Sequence, residues 1–392
     1  MKRVTLLGST GSIGTSTLDV IRRWPERFSV YALAAGQNID LLVQQISEFR
    51  PAVVVVASRE NVANLTSRLQ TAGVPVPEVR TGPEALVAIA TAPEAEFVLS
   101  AIVGVAGLEA TYEAVRRGKT VGLANKETLV ASGSLVMKAA RASGAELIPV
   151  DSEHNGAHQC LRAGRRDEAI KLILTASGGP FRQTPKEQLA SVTPAQALKH
   201  PTWKMGQRIT IDSASMMNKG LEVIEACWLF DFAPRDVEVT VHPQSSVHAM
   251  VEYADGSVIA QVSTTDMRMP IQYALTYPER ASAPVPRMDW TTARTWEFYP
   301  PDFDKFPLLK AAYDAMAAGG AAGCTLNAAD EIAVEAFLQE QISFTGIAEV
   351  VQETLNRVPR SEPSSVGDVL EVDRRSREVA RECVRQRALA RA

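Results

Sequence analysis

Cysteine is scarce in this chain of 392 residues: Cys160, Cys227, Cys324 and Cys383 are the four, far apart and with no CxxC pair. That spacing excludes a disulfide-dense secreted scaffold and leaves the thiols as reduced packing residues. No apolar run approaches the roughly 18 residues that a membrane-spanning helix needs, and mean hydropathy is −0.04. Neither sign of charge is in excess. With 41 Lys+Arg against 45 Asp+Glu the net charge is −4, so the global basic footprint of a nucleic-acid binder is missing. Also missing are a signal h-region and a Ser/Arg-rich transit segment, since Met1-Lys2-Arg3 runs straight into Val4-Thr5-Leu6-Leu7-Gly8. The expectation is a cytoplasmic protein with no membrane or nucleic-acid partner.

What is present is apolar substance, 46% of residues, enough for two or three domains. Short apolar runs at residues 4–7, 30–33, 53–56, 97–102, 121–123 and 147–150 alternate with helix-like stretches such as 15–23 and 41–50. Continuously apolar strands separated by helices predict an α/β domain over residues 1–150, a Rossmann-like doubly wound parallel sheet. From Asp151 the texture changes. All five histidines, His154, His158, His200, His242 and His248, fall in the following hundred residues amid Ser, Gly and Asn. A hairpin is expected where residues 247–253 and 257–262 flank Ala254-Asp255-Gly256. Residues 151–285 therefore read as a central α+β catalytic domain, and 286–307 as a proline-bearing linker. Helical spacing of apolar residues makes 308–392 a C-terminal helical bundle.

Directly after the first strand stands Gly8-Ser9-Thr10-Gly11-Ser12-Ile13-Gly14, followed by a helix. Glycines allow a tight turn and close backbone approach, and the helix N-terminus offers free N–H groups to a pyrophosphate. In a run of βα units this favours nucleotide binding over a plain Gly-rich turn. The second strand ends Leu33-Ala34-Ala35-Gly36-Gln37-Asn38, without the carboxylate that usually meets a ribose 2′-hydroxyl, so NADP is expected rather than NAD. Arg59 is a candidate 2′-phosphate partner, the alternative being a solvated charge.

A second set of residues suits hard cations and phosphate. Asp151 and Glu153 lie two apart at a strand end, where period-two alternation points both to one side. The competing reading is a solvated or helix-capping pair. Asn218 and Glu222 are i,i+4, and Lys219 and Glu222 i,i+3, on a predicted helix. Glu222 would complete an all-oxygen Asp/Glu/Glu site for Mg²⁺ or Mn²⁺, while Ser213, Asn218 and Lys219 have the donors a phosphate needs. An ordinary surface ion pair is the alternative for Lys219 and Glu222. Ser177, in Thr175-Ala176-Ser177-Gly178-Gly179-Pro180, could form another phosphate nest or a simple turn. His154 and His158 are i,i+4 but lack an HExxH glutamate or a third soft ligand, which argues against zinc. His200-Pro201-Thr202-Trp203-Lys204-Met205-Gly206 has the make-up of a mobile lid, a buried Trp being the alternative.

These stretches, together with Ala124-Asn125-Lys126-Glu127, Val150 to Asn155, Ser177 to Arg182, Asp212 to Glu222 and Leu326-Asn327-Ala328-Ala329, resemble the 1-deoxy-D-xylulose 5-phosphate reductoisomerases, in order over nearly the whole chain. The resemblance implies an NADPH- and divalent-metal-dependent homodimer. Its activity would be the rearrangement and reduction of 1-deoxy-D-xylulose 5-phosphate to 2-C-methyl-D-erythritol 4-phosphate, in the non-mevalonate route to isoprenoid precursors. Carried over by motif, Asp151, Glu153 and Glu222 look like metal ligands. Lys126, Ser152, Glu153, Ser177, His200, Ser213, Asn218, Lys219 and Glu222 look like substrate contacts, and Trp203 and Met205 like the flap. Thr10, Gly11, Ser12, Ile13, Gly36, Gln37, Asn38, Asn125, Glu127 and Gly206 would hold NADPH. Lys126, Asp151, Glu153 and Glu222 are the residues the resemblance places nearest the chemistry, with Glu153 handling a proton in a retro-aldol and re-aldol sequence and Lys126 orienting oxygens. Gln37 stands where many members carry Lys or Arg, and Thr265 where Pro is usual. The alternatives are another Rossmann-type NADP oxidoreductase and a non-catalytic NADP-binding sensor.

Overall fold

The computed structural model describes residues 1–203 and 205–391. Among them the strands are β1 (Lys2–Leu7), β2 (Phe28–Ala35), β3 (Val53–Val56), β4 (Glu78–Thr81), β5 (Phe97–Ser100), β6 (Thr120–Leu123), β7 (Leu147–Pro149), β8 (Ala169–Ala176), β9 (Val237–Val241), β10 (Val247–Tyr253) and β11 (Val258–Val262). The helices are α1 (Ser12–Arg23), α2 (Ile39–Phe49), α3 (Arg59–Thr71), α4 (Pro83–Thr91), α5 (Leu108–Arg116), α6 (Glu127–Ser143), α7 (Ser152–Leu161), α8 (Pro194–Ala197), α9 (Gln207–Ala214), α10 (Met217–Phe230), α11 (Arg268–Thr276), α12 (Pro307–Ala318), α13 (Ala322–Leu338), α14 (Phe344–Arg357) and α15 (Val366–Arg391). The chain packs into two compact units.

The first unit comprises Met1–Thr128, Val136–Asn155 and Asp266–Arg287. Its seven strands run parallel in the order β4-β3-β2-β1-β5-β6-β7. Strand order reverses between β1 and β5, the topological switch point at which a doubly wound sheet binds nucleotide. Leu6, Leu33, Val54 and Leu99 fill the core, and from α11 Ile271, Ala274 and Leu275 join it. That burial brings residues 266–287 into this unit although they follow the central segment in sequence. β4 escapes the apolar-run reading because Glu78-Val79-Arg80-Thr81 is a short, half-exposed edge strand with one large apolar residue.

The second unit comprises Leu129–Leu135, Gly156–Thr265 and Met288–Ala392. Its sheet has the order β11-β10-β8-β9, with β10 antiparallel to β8 and β11, and β9 parallel to β8. β10 and β11 form the expected hairpin around Asp255-Gly256. One core gathers on this sheet, around Leu172, Leu174, Val239 and Val251. Another lies among α9, α10 and α12 to α15, with Ile211, Leu221, Leu326, Ile347 and Ala380 buried in it. All four cysteines are free and buried, and desolvation pushes the Cys160 and Cys227 thiols up to about 12, which makes them inert packing groups. No helix among the described residues is long and apolar enough to cross a membrane.

The turn after β1 leaves no room for a side chain at Gly8 or Gly14. Gly8 has φ +94, and a Cβ on Gly14 would lie 2.3 Å from the Gly8 carbonyl oxygen. Gly14→Ala should therefore lower stability by about 2–3 kcal/mol, the cost of forcing backbone apart in a tight site. Denaturant unfolding measures this, and an unchanged midpoint would contradict it.

Candidate active site

In the first unit the open ends of β1 and β2 carry the nucleotide-motif residues. Gly11, Ser12, Gly36, Gln37 and Asn38 are exposed, with Thr10 and Ile13 partly so. No side chain caps the N-terminus of α1, whose cap residue is the exposed Gly11, so its first N–H groups have no partner from a capping side chain. Asn38 caps α2, accepting from the Leu41 N–H at 3.1 Å. Arg59 opens α3 after β3, whose Val56 is paired with Ala35, so it follows the strand end next to Gly36 and Gln37. Asn61, which the sequence reading passed over, donates from Nδ2 to Gln37 Oε1 at 3.3 Å. Asn125 is buried and already employed: it donates to the Gly104 carbonyl at 2.9 Å and accepts from the Thr128 N–H at 3.0 Å. Glu127 starts α6.

The strand reading of Asp151 and Glu153 needs correction. β7 stops at Pro149, and Glu153 lies in the first turn of α7. A carboxylate oxygen of each still lies within 4.8 Å of the other. Helix entry rather than alternation brings them together: Asp151 Oδ1 accepts from the Glu153 N–H at 3.2 Å, so the capping role is real. Lys126 Nζ donates to Asp151 Oδ2 at 2.8 Å, both side chains being largely buried. Ser152 Oγ donates to Glu153 Oε2. His154 is buried, with Nδ1 3.4 Å from Asp151 Oδ1. Capping explains one oxygen of Asp151 but not a lysine brought to the other, and the donors are hard oxygens of the kind Mg²⁺ prefers.

In the second unit a second cluster forms where β8, the segment before α9, and α9 itself converge. His200 Nε2 is 3.1 Å from Ser177 Oγ and 3.0 Å from Ser213 Oγ. His200 Nδ1 accepts from the N–H groups of Thr202 and Trp203, at 3.1 and 2.9 Å. An Nδ1 that accepts twice puts the proton of the neutral ring on Nε2, which then donates toward the serines. Desolvation holds the ring's pKa below its usual value and keeps it neutral. Trp203 and Met205 are half-buried, Gly206 is exposed, and Lys204 lies outside the described residues. On α10, Asn218 Nδ2 donates to Glu222 Oε1 at 2.5 Å and Lys219 Nζ donates to Glu222 Oε2. Lys219 and Glu222 are 3% and 1% exposed, which removes the surface-pair alternative.

Three family models match: 1-deoxy-D-xylulose 5-phosphate reductoisomerase over residues 4–133, and its C-terminal domain models over 147–230 and 262–379. A reductoisomerase of Solibacter usitatus is 67% identical over 99% of this chain and 98% of that protein. This chain belongs to the 1-deoxy-D-xylulose 5-phosphate reductoisomerase family. One of Paraburkholderia xenovorans is 51% identical over 98% of this chain and 96% of its own length. The reductoisomerase of Zymomonas mobilis in complex with NADPH superposes with a TM-score of 0.91 at 44% identity, covering 98% and 99% of the two chains. A second reductoisomerase, in complex with NADPH, fosmidomycin and magnesium, gives a TM-score of 0.91 at 40% identity, covering 98% of each chain. The family's doubly wound sheet, second sheet and helical region are the fold described above.

Sequence reasoning singled out no role for Arg208, Asp212, Asp330 and Glu331, although Arg208 and Asp212 stand at i,i+4, a legible signal. His158 was set aside as a zinc ligand. Burial lowers its pKa to about 4, with Arg162 adding to the effect. A histidine lowered from 6.5 in the folded state binds fewer protons than in the unfolded chain. Its contribution is therefore complete above pH 6.5 and is lost as pH falls toward about 4. Thermal midpoints across that range should fall for the parent reductoisomerase and fall less steeply for His158→Asn; parallel curves would refute the assignment.

Proposed function

We propose that this reductoisomerase converts 1-deoxy-D-xylulose 5-phosphate to 2-C-methyl-D-erythritol 4-phosphate with NADPH and Mg²⁺ or Mn²⁺, as a cytoplasmic homodimer. One observation carries the reading. A glycine turn at the switch point and a lysine-paired carboxylate set at the β7–α7 junction occur within a chain 67% identical to a reductoisomerase over 99% of its length. The family relation displaces the alternatives of another Rossmann oxidoreductase and a sensor.

Asp151, Glu153 and Glu222 are the proposed metal ligands, all hard oxygen donors. Bound there, a divalent cation would polarise the ketone and neighbouring hydroxyl oxygens of the substrate as a Lewis acid. Lys126 has three donors on a compact charge and would orient those oxygens. Glu153, tied to Ser152 at the start of α7, is the residue assigned to move a proton. Ser177, His200, Ser213, Asn218 and Lys219 would anchor the phosphate, which fits a neutral imidazole presenting Nε2–H between two hydroxyls. That remote anchor supplies binding energy that holds the reacting carbons in place. Trp203 and Met205 would close over the substrate and exclude water.

Thr10, Gly11, Ser12, Ile13, Gly36, Gln37, Asn38, Asn125, Glu127 and Gly206 would hold NADPH, which supplies the hydride. The end of β2, where Gly36-Gln37-Asn38 stand in place of an Asp or Glu, and Arg59 opening the helix after β3, support the phosphorylated cofactor. The homodimer is supported by β11, an edge strand whose Val258 and Ile259 are 49% and 39% exposed, a template for pairing with a second copy.

NADPH oxidation with 1-deoxy-D-xylulose 5-phosphate should require added Mg²⁺ or Mn²⁺ and stop with a chelator. Asp151→Asn should lower turnover at least about a hundredfold, since even outer partners of a metal cost that order, while NADPH binding by fluorescence stays intact. Turnover that persists in chelator, or a fully active Asp151→Asn enzyme, would sink the assignment.

A further inference from the structure

The second unit buries a group of charges that the reaction as described does not use. Arg208 Nη1 donates to Glu331 Oε1 and Nη2 to Asn327 Oδ1, each at 2.8 Å. Arg208 Nε lies 3.6 Å from Asp212 Oδ2, and Nη2 3.6 Å from Asp330 Oδ2. On α15, Arg377 pairs with Glu331 at 2.6 Å and with Asp373 at 2.7 Å. Four carboxylates thus share two guanidinium groups. α12 and α14, which also pack on α13, bring apolar side chains to this core, among them Ala312, Ala315, Ile347 and Val350.

Asp330 is the worst served of the four. It is 0% exposed, and as a carboxylate neither of its oxygens receives a hydrogen bond. Leaving such a group ionised and unmet is strongly destabilising. Asp212, 3% exposed, is close enough to form a side-chain hydrogen bond with it. Two carboxylates can bond to each other only if a proton lies between them, and like charges at that range oppose double ionisation. Burial, then the charge of Asp212, push Asp330 well above the usual carboxylate range, against the pull of Arg208.

We propose that Asp212 and Asp330 hold one proton between them, and that this acid pair, clamped by Arg208, fixes the last turn of α9 and so aims Ser213. Asp212 precedes Ser213 directly, and the Arg208 and Asp212 contacts tie α9 to α13 alongside the apolar packing of Ile211 and Ala214. Both acids are positioning residues. The aiming half rests on the phosphate role proposed for Ser213; the proton-sharing half does not.

The two halves separate experimentally. A carboxyl whose folded pKa is raised keeps a proton that the unfolded chain has released, so its stabilisation is complete at low pH and is lost as pH rises from the ordinary carboxylate range through the folded value. Asp330→Asn keeps a donor at every pH. Over about pH 5 to 9 the difference in unfolding midpoint between the parent and Asp330→Asn, in which titrations common to both cancel, should shift against the parent as pH rises. An identical slope in both would overturn the shared proton. Asp330→Ala should raise KM for 1-deoxy-D-xylulose 5-phosphate roughly tenfold, the loss of about one charged contact, with kcat and the KM for NADPH little changed. Asp330→Asn should restore it. An unchanged KM in Asp330→Ala, or no rescue by Asn, would overturn the positioning role. Ser213→Ala in parallel tests the phosphate assignment itself: if its sugar-phosphate KM stays at the parent value, aiming fails while the pH slopes still decide the proton.

Discussion

A carboxylate removed from water has to be met by a cation, a donor or a proton, and the polar architecture of this chain follows from that requirement. Glu222 is 1% exposed and is met by Lys219 and Asn218 from its own helix. Asp151 is met by Lys126 and by the Glu153 N–H in the first turn of α7. Asp212 and Asp330 share one arginine. Each solution draws its partner from a neighbouring turn or a neighbouring helix. The hydrophobic cores that bury Ile211, Leu221 and Leu326 therefore also decide which charges face one another.

Backbone constraints set the positions of these groups as firmly as charge does. Between α9 and α10 the chain turns through Met216, a buried non-glycine residue at φ +63. A left-handed residue of this kind costs about 1–2 kcal/mol and persists where its surroundings over-determine it. Here Met216 packs in the core on the second sheet while Met217 and Leu221 pack in the helical core, and the result is a short corner between α9, which carries Ser213, and α10, which carries Asn218 and Lys219. The Gly8 turn does the same for the first unit, where a side chain would strike the Ala101 carbonyl oxygen at 2.5 Å.

The sequence makes the sheet of the first unit legible because its strands are buried on both faces and so read as unbroken apolar runs. β3 is four valines. β4 was invisible for the opposite reason, being a polar edge strand that packing on one side is enough to hold. The α10 constellation was legible because i,i+4 and i,i+3 spacing translates directly into contact on a helix. The Asp151 and Glu153 pair was found with the wrong geometry: a strand and a helix start both bring residues two apart near each other, and only the end of β7 at Pro149 separates the two cases. Asp330 and Arg208 were beyond reach for another reason. They lie more than a hundred residues apart, and nothing in local spacing announces which buried charges a helical core will oppose.

His200 shows how a single proton can organise a loop. Its Nδ1 accepts from two consecutive backbone N–H groups, which only the neutral ring can do, and this acceptance fixes the entry to the segment carrying Trp203. The same requirement leaves Nε2 as the donor, aimed between Ser177 and Ser213. Desolvation, which keeps the ring neutral, comes from the burial that brings those serines together. Loop conformation, tautomer and donor direction are thus one choice rather than three. A glutamine could copy the Nε2 donor but not, in the same rotamer, the ring's rigid opposition of donor and acceptor. The geometry therefore favours an imidazole at this position over any other neutral side chain.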